Sequence, residues 1–226
     1  MTLRVPLFTL ARLFNKGACE FYSAPSGVSR SGRQWACRPH RQHHVQYGVA
    51  MTISVILTSQ FHATLSMLAE CVERCPDQHW DGSAPDVVGK YPFWQVAYHA
   101  LCFVDCYLSK NSETFEKEMG CRTDGFHPAG MKELSEEFPS RALTRDELRR
   151  YAAFCRDKVA SVLAEESEES LSGVSGFSWL PMARVELHLY NLRHAAHHTG
   201  QLTAYLRRVG VQTAWCASDW REPTAM

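Results

Sequence analysis

The segment PMARVELHLYNLRHAAHHTGQLTAYLRRVG, residues 181–210, has the pattern of one helix from end to end. Pro181 suits a first helical turn, where a missing N–H costs nothing. Gly210 suits the position just past the last turn, and Arg207 and Arg208 place cations at the negative end of the helix dipole. At about 100° per residue, Leu187, Tyr190, Asn191, His194, His198, Gln201 and Tyr205 fall on one face. Two histidines one turn apart can chelate a single metal ion without bending the helix. His194, His197 and His198 lie within five residues, so the pattern leaves open which of them pair, and a solvated histidine patch is the plain alternative.

Three further segments share this periodicity. Leu57, Phe61, Leu65, Leu68 and Val72 recur every three or four residues, which predicts a helix from Ile53 to Cys75 that Pro76 stops. A second is expected from near Pro92 to about Leu108. A third opens on the capping box Thr144-Arg-Asp-Glu147 and continues along Leu148, Tyr151, Ala152, Cys155, Val159, Val162 and Leu163. Strand patterns are scarce and no internal repeat is visible. The fold class is therefore all-α, and four amphipathic helices bury their stripes best as a four-helix bundle. Residues 76–91 and 164–180 read as loops. Residues 109–143 read as a long polar loop punctuated by Gly125-Phe-His-Pro-Ala-Gly130, and loops of that length are usually functional or mobile.

The composition of the 226-residue chain, 45% hydrophobic, supports a sizeable core. No run of 18 apolar residues occurs, so no membrane-spanning helix is expected. Lys and Arg balance Asp and Glu at 24 each, but unevenly along the chain. Residues 1–50 hold seven of the basic side chains and only Glu20 among the acids, which leaves 17 basic and 23 acidic residues in 51–226. An acidic body repels phosphate backbones and argues against nucleic acid as a partner.

Residues 1–50 lack helical or strand periodicity. They read as a disordered leader: an organelle transit segment, a poor secretory signal interrupted at Arg12, or an upstream extension from a misassigned start. The last is favoured because Met51 directly precedes the first helix. His40, His43 and His44 in this leader read as a solvated cluster rather than a metal site. Nine cysteines are an odd count, without any CxxC pair. Cys71 with Cys75, and Cys102 with Cys106, sit one turn apart on single helices, where disulfide geometry is poor. They read as small buried side chains in a reducing, cytoplasmic compartment.

A third metal ligand must come from another helix. His99 lies mid-helix in the apolar stretch Phe93 to Leu108, where a lone imidazole needs a partner. Taken alone it reads as a core histidine satisfied by a hydrogen bond. Beside an HxxxH helix sharing the same core, it becomes the better candidate for a three-His site. Cys102 and Cys106 are lesser candidates, since packing explains both.

Two motifs occur in order here: Pro92-Phe-Trp-Gln-Val-Ala-Tyr-His99 and, about 95 residues on, His194-x-x-x-His198-x-Gly-Gln201-Leu. With Trp80 after the first helix and the aliphatic start at Ile53, the chain resembles the DinB/YfiT-like superfamily over roughly residues 51–210. The resemblance implies an up-down-down-up four-helix bundle, so residues 51–226 are taken as the DinB-like domain. It implies a divalent metal, often nickel or zinc, held by His99, His194 and His198, with His197 at a variable position. Thr199 stands where Arg is frequent in the family, which removes a cationic group from that place.

Three imidazoles leave a coordination position open for water, substrate or a thiol. Characterised relatives include transferases and an isomerase that use low-molecular-weight thiols, and proteins described as metal-dependent hydrolases. The expectation is a metal-dependent enzyme acting on a small molecule, with thiol S-transferase ahead of hydrolase and with a low-molecular-weight thiol as a cosubstrate. The alternative is a non-catalytic metal-binding stress-response bundle, recognisable by a fourth protein ligand from Cys102, Asp105 or Cys106. Gln201, Asn191 and Tyr190 are placed either to orient a ligand or substrate or to serve as ordinary residues of the core rim. No general base stands out, and His127 in the long loop is a candidate only if that loop reaches the site. Aliphatic outer helix positions permit a homodimer, which the family often forms.

Overall fold

The computed structural model describes residues 51–82, 88, 91–121 and 142–224. The leader with its His40, His43 and His44, and the Gly125–Gly130 run with His127, lie outside these residues. Six helices occur among those described: α1 (Ile53–Arg74), α2 (Phe93–Leu108), α3 (Ser112–Cys121), α4 (Arg145–Glu165), α5 (Glu168–Ser172) and α6 (Arg184–Arg208). A single 3₁₀ turn spans Asp77–His79. No strand is present among the described residues, apart from the isolated bridges Val88 to Tyr91 and Val174 to Ala183. The protein is all-α.

The stripes read from the sequence are the surfaces that pack. Leu57, Phe61, Leu65, Leu68 and Val72 of α1 are all buried, as are Leu148, Tyr151, Cys155, Val159 and Leu163 of α4. Each such Leu or Phe stabilises the fold by about 1.5–3 kcal/mol of apolar burial. α1 packs on α4 and α6, and α2 packs on the same two helices. α1 is long and apolar enough to cross a membrane by length and composition alone, but 56% of its most apolar window is buried inside the protein.

Two arginines tie the helix ends together. Arg145, the first residue of α4, donates to the carbonyls of Val72, Glu73 and Cys75 at the end of α1 and lies over the Trp80 ring. Arg184, the first residue of α6, donates to the carbonyls of Leu108 and Ser109 at the end of α2, at 3.0 and 2.9 Å. Both satisfy carbonyls that a helix C-terminus leaves without intrahelical partners.

Between α2 and α4 the pairs are Tyr98 with Tyr151, Leu101 with Cys155, and Asp105 with Lys158. Past α6 the chain returns along α1, where buried Glu70 accepts from Ala214 N at 3.1 Å and from Thr224 at 3.2 Å.

The structure shifts several expected boundaries. α6 begins at Arg184 rather than near Pro181, because residues before it are held by other bonds. Ser175 N donates to Met182 O at 2.9 Å and Met182 N donates to Leu180 O at 2.8 Å. Pro92 is the extended N-cap of α2, at ψ 153°, and not part of its first turn. Helices α3 and α5 fall in stretches read as loops. Phe115 of α3 is buried, and Leu171 is the one buried residue of α5, where a single anchor makes no periodic stripe. Their side-chain caps form them instead: Asn111 Oδ1 accepts from Thr114 N, and Ser167 pairs reciprocally with Ser170.

Candidate metal centre

His99 comes from the middle of α2, and His194 and His198 lie one turn apart on α6. α2 and α6 are drawn together by buried apolar side chains along the shared seam, and by Asn191 Nδ2, which donates to Val104 O at 3.2 Å. At that seam the three imidazoles converge through the same atom. His194 Nε2 lies 3.2 Å from His99 Nε2 and 3.1 Å from His198 Nε2. The three donor atoms all fall within 4.8 Å of one another. Two ligand atoms on a tetrahedral ion with bonds of about 2.0–2.1 Å stand roughly 3.3 Å apart, so the spacing fits one ion.

All three rings are half-buried. Burial is the main reason that His99 stays neutral, its pKa pushed down to about 3, with His198 and His194 adding to the effect. His194 is pushed down to about 4, again by burial first and then by His198 and His197. Burial also lowers His198. A neutral imidazole is the form that ligates a metal. Nitrogen lone pairs crowded this closely repel each other, and a proton or a cation among them relieves the repulsion. The buried Nδ1 of His194 has no hydrogen-bond partner.

The DinB family model matches residues 64–225, well over half of the chain. The chain belongs to the DinB family. The matched span contains His99, His194 and His198, and a three-His group of this kind fits a metal-binding DinB-like protein. A search of curated proteins finds no match.

The supporting residues divide between the DinB centre and the packing around it. His198 Nδ1 lies 2.9 Å from Gln201 Oε1, and a bond donated there fixes the tautomer that leaves Nε2 with its lone pair. Gln201 Nε2 lies 3.1 Å from His197 Nε2, so the exposed His197 meets the outer side of Gln201 instead of the cluster. Tyr190 lies nearly parallel to His194, with ring centroids 6.3 Å apart. Asn191 serves the packing of α2 on α6 through Val104. Thr199 is buried and donates to Ala195 O at 2.8 Å within its own helix.

Phe103 is the neighbour whose role the sequence concealed. In sequence it is one more aromatic of the apolar stretch Phe93 to Leu108, yet its ring lies 4.7 Å from His99 and 5.2 Å from His194. Asp105 is turned toward α4, accepting from Lys158 Nζ at 2.7 Å and from the Tyr151 hydroxyl at 2.9 Å. Cys102 and Cys106 are buried, and neither joins the three-His group among the described residues.

Proposed function

We propose that this DinB protein is a metal-dependent enzyme whose His99, His194 and His198 hold one divalent cation, zinc or nickel. The observation that carries the reading is the meeting of three neutral Nε2 atoms from two helices at ligand spacing. A divalent cation there supplies Lewis acidity to an incoming oxygen or sulfur donor. The protein's own part is to hold the donors ready. α2 and α6 fix the ring positions, Gln201 keeps the His198 proton on Nδ1, and Phe103 and Tyr190 keep water from the flanks of His99 and His194. Three protein ligands leave a tetrahedral position for substrate.

The reaction class proposed is S-transfer from a low-molecular-weight thiol, with hydrolysis second. Soft sulfur suits zinc or nickel among imidazoles, and the family resemblance points the same way. A small molecule is the substrate. The engagement of Asp105 by Lys158 and Tyr151 supports an open site over a closed structural one. Cys71, Cys75, Cys102, Cys106, Cys155 and Cys216 are all buried thiols outside any disulfide, which supports a reducing cytoplasmic setting. The pairs His62 with Arg156, Tyr98 with Tyr151 and Val104 with Asn191 support an up-down-down-up bundle for α1, α2, α4 and α6. Met51 is taken as the start of this domain.

Metal analysis of protein purified without a histidine tag tests the centre. One ion per chain is expected, lost in His99→Ala, His194→Ala and His198→Ala and kept in His197→Ala. Equal loss in the His197 variant, or full metal content without His99, would overturn the assignment. Transfer assays with several cellular thiols then separate the two reaction classes.

A further inference from the structure

From the three-His cluster a continuous line of aromatic rings runs along the seam of α2 and α6. Phe103 lies one turn beyond His99 on α2, and Tyr190 one turn before His194 on α6, so both rings continue in the same direction away from the donors. Tyr190 meets Tyr107 at 5.7 Å between centroids, and Tyr107 meets Phe177 at 5.3 Å. Phe177 in turn meets Trp179 at 5.3 Å. The rings differ in burial in a regular way. Tyr107 and Phe177 are buried and form a floor, whereas Phe103 and Tyr190 are half-buried at its edge and Trp179 is 52% exposed.

The far end of the strip is preformed. Phe177 and Trp179 belong to the segment before α6, which Ser175 braces by accepting from Phe177 N at 3.1 Å and donating to Leu180 O at 2.6 Å. Gly176 has φ +87°, and a Cβ there would stand 1.9 Å from Lys110 O. Only glycine lets this segment come close enough to the end of α2 to set Phe177 against Tyr107.

We infer that this strip binds an aromatic or extended apolar portion of the substrate, with the substrate's donor atom at the three-His cluster. The inference rests on the metal-centre reading and names the substrate class of that same site. Aromatic rings offer flat faces to a flat ligand at little conformational cost. A donor on the ion places the first substituent ring beside Phe103 and Tyr190 and a longer one toward Tyr107. Phe103 and Tyr190 are then specificity residues, and a purely polar thiol leaves them uncovered.

The test uses the full chain loaded with cobalt(II) and three thiol probes: 2-mercaptoethanol, benzyl mercaptan and biphenyl-4-methanethiol. Sulfur-to-cobalt charge-transfer absorption reports only thiol bound at the ion. Benzyl mercaptan is expected to bind at least tenfold more tightly than 2-mercaptoethanol, and the biphenyl thiol more tightly again. Tyr190→Leu and Phe103→Leu, each compared as cobalt-loaded protein, should shrink the ratio of benzyl mercaptan to 2-mercaptoethanol affinity at least threefold. Equal affinities of the three thiols on a cobalt-loaded protein would overturn the strip and leave the metal centre standing. So would a preference unchanged in both variants. Failure of the unaltered chain to take up cobalt would overturn the metal centre and the strip with it.

Discussion

Replacing Asp105 by Asn removes one buried charge and little volume, and its cost follows from the partners of that carboxylate. Asp105 is fully buried between α2 and α4. It accepts from Lys158 Nζ at 2.7 Å and from the Tyr151 hydroxyl at 2.9 Å, and the Lys158 side chain is only 11% exposed. Breaking a buried ion pair by removing one partner costs about 3–5 kcal/mol, because the other charge is left without compensation. The lower end applies here, since Lys158 also donates to Ser109 Oγ at 2.7 Å and to Asp105 O at 3.1 Å, and both acceptors survive. An unfolding entropy of about 2.1 cal/mol/K per residue over roughly 170 residues gives ~0.36 kcal/mol/K, so ~3 kcal/mol lowers Tm by about 8 °C.

Thermal unfolding followed by circular dichroism measures this shift. The double change Asp105→Asn with Lys158→Met removes both charges of the pair and should recover most of the loss. Metal content should be unaffected in both proteins, since Asp105 faces α4 and not the three-His cluster. A single-variant shift under about 2 °C would refute the buried-pair argument. Loss of metal would show that Asp105 serves the centre after all.

Other outcomes follow from the same geometry. Gln201→Leu keeps all three ligands but frees the Nδ1 proton of His198, and metal affinity in a chelator competition should fall about 10–100-fold. An unchanged affinity would remove Gln201 from the centre. His188 is buried and held neutral, its pKa lowered from 6.5 by desolvation first, against the opposing hydrogen bond it donates to Glu166. Below pH 6.5 the unfolded chain therefore binds a proton that the native protein does not, so stability present above that pH is lost as pH falls toward the lower folded value. His188→Gln should flatten this acid limb in urea midpoints taken at about pH 7.5 and 5.5, and a slope equal to that of the unaltered chain would contradict it.

Where the sequence spoke clearly, the signal was periodic or stereochemical. Five apolar residues placed α1 to within one residue, and Thr144 with Glu147 marked the start of α4 because a capping box is written in adjacent residues. Helix α5 was missed because its one buried residue, Leu171, leaves no pattern. The start of α6 was misplaced because the bonds that hold residues 175–182 join that segment to itself, and proline alone cannot report them.

Read by itself, the sequence determined that four stripes had to be buried, that His194 and His198 shared a helical face, and that a mid-helix His99 needed a partner. These are local properties, fixed by 3.6 residues per turn and by the cost of burying an unpartnered imidazole. It also carried the two motifs, around His99 and His194, on which the resemblance to the DinB family rests. Only the tertiary structure decided that α2 meets α6 at the depth where His99 reaches His194, and that His197 turns outward to Gln201. The same packing gave Asp105 to Lys158 and Tyr151, set Phe103 against the cluster, and drew Phe177 and Trp179 into line with it. Such contacts depend on how two helices are offset along their axes, and that offset is set by the summed packing of side chains remote in sequence, which no single stretch of the chain records.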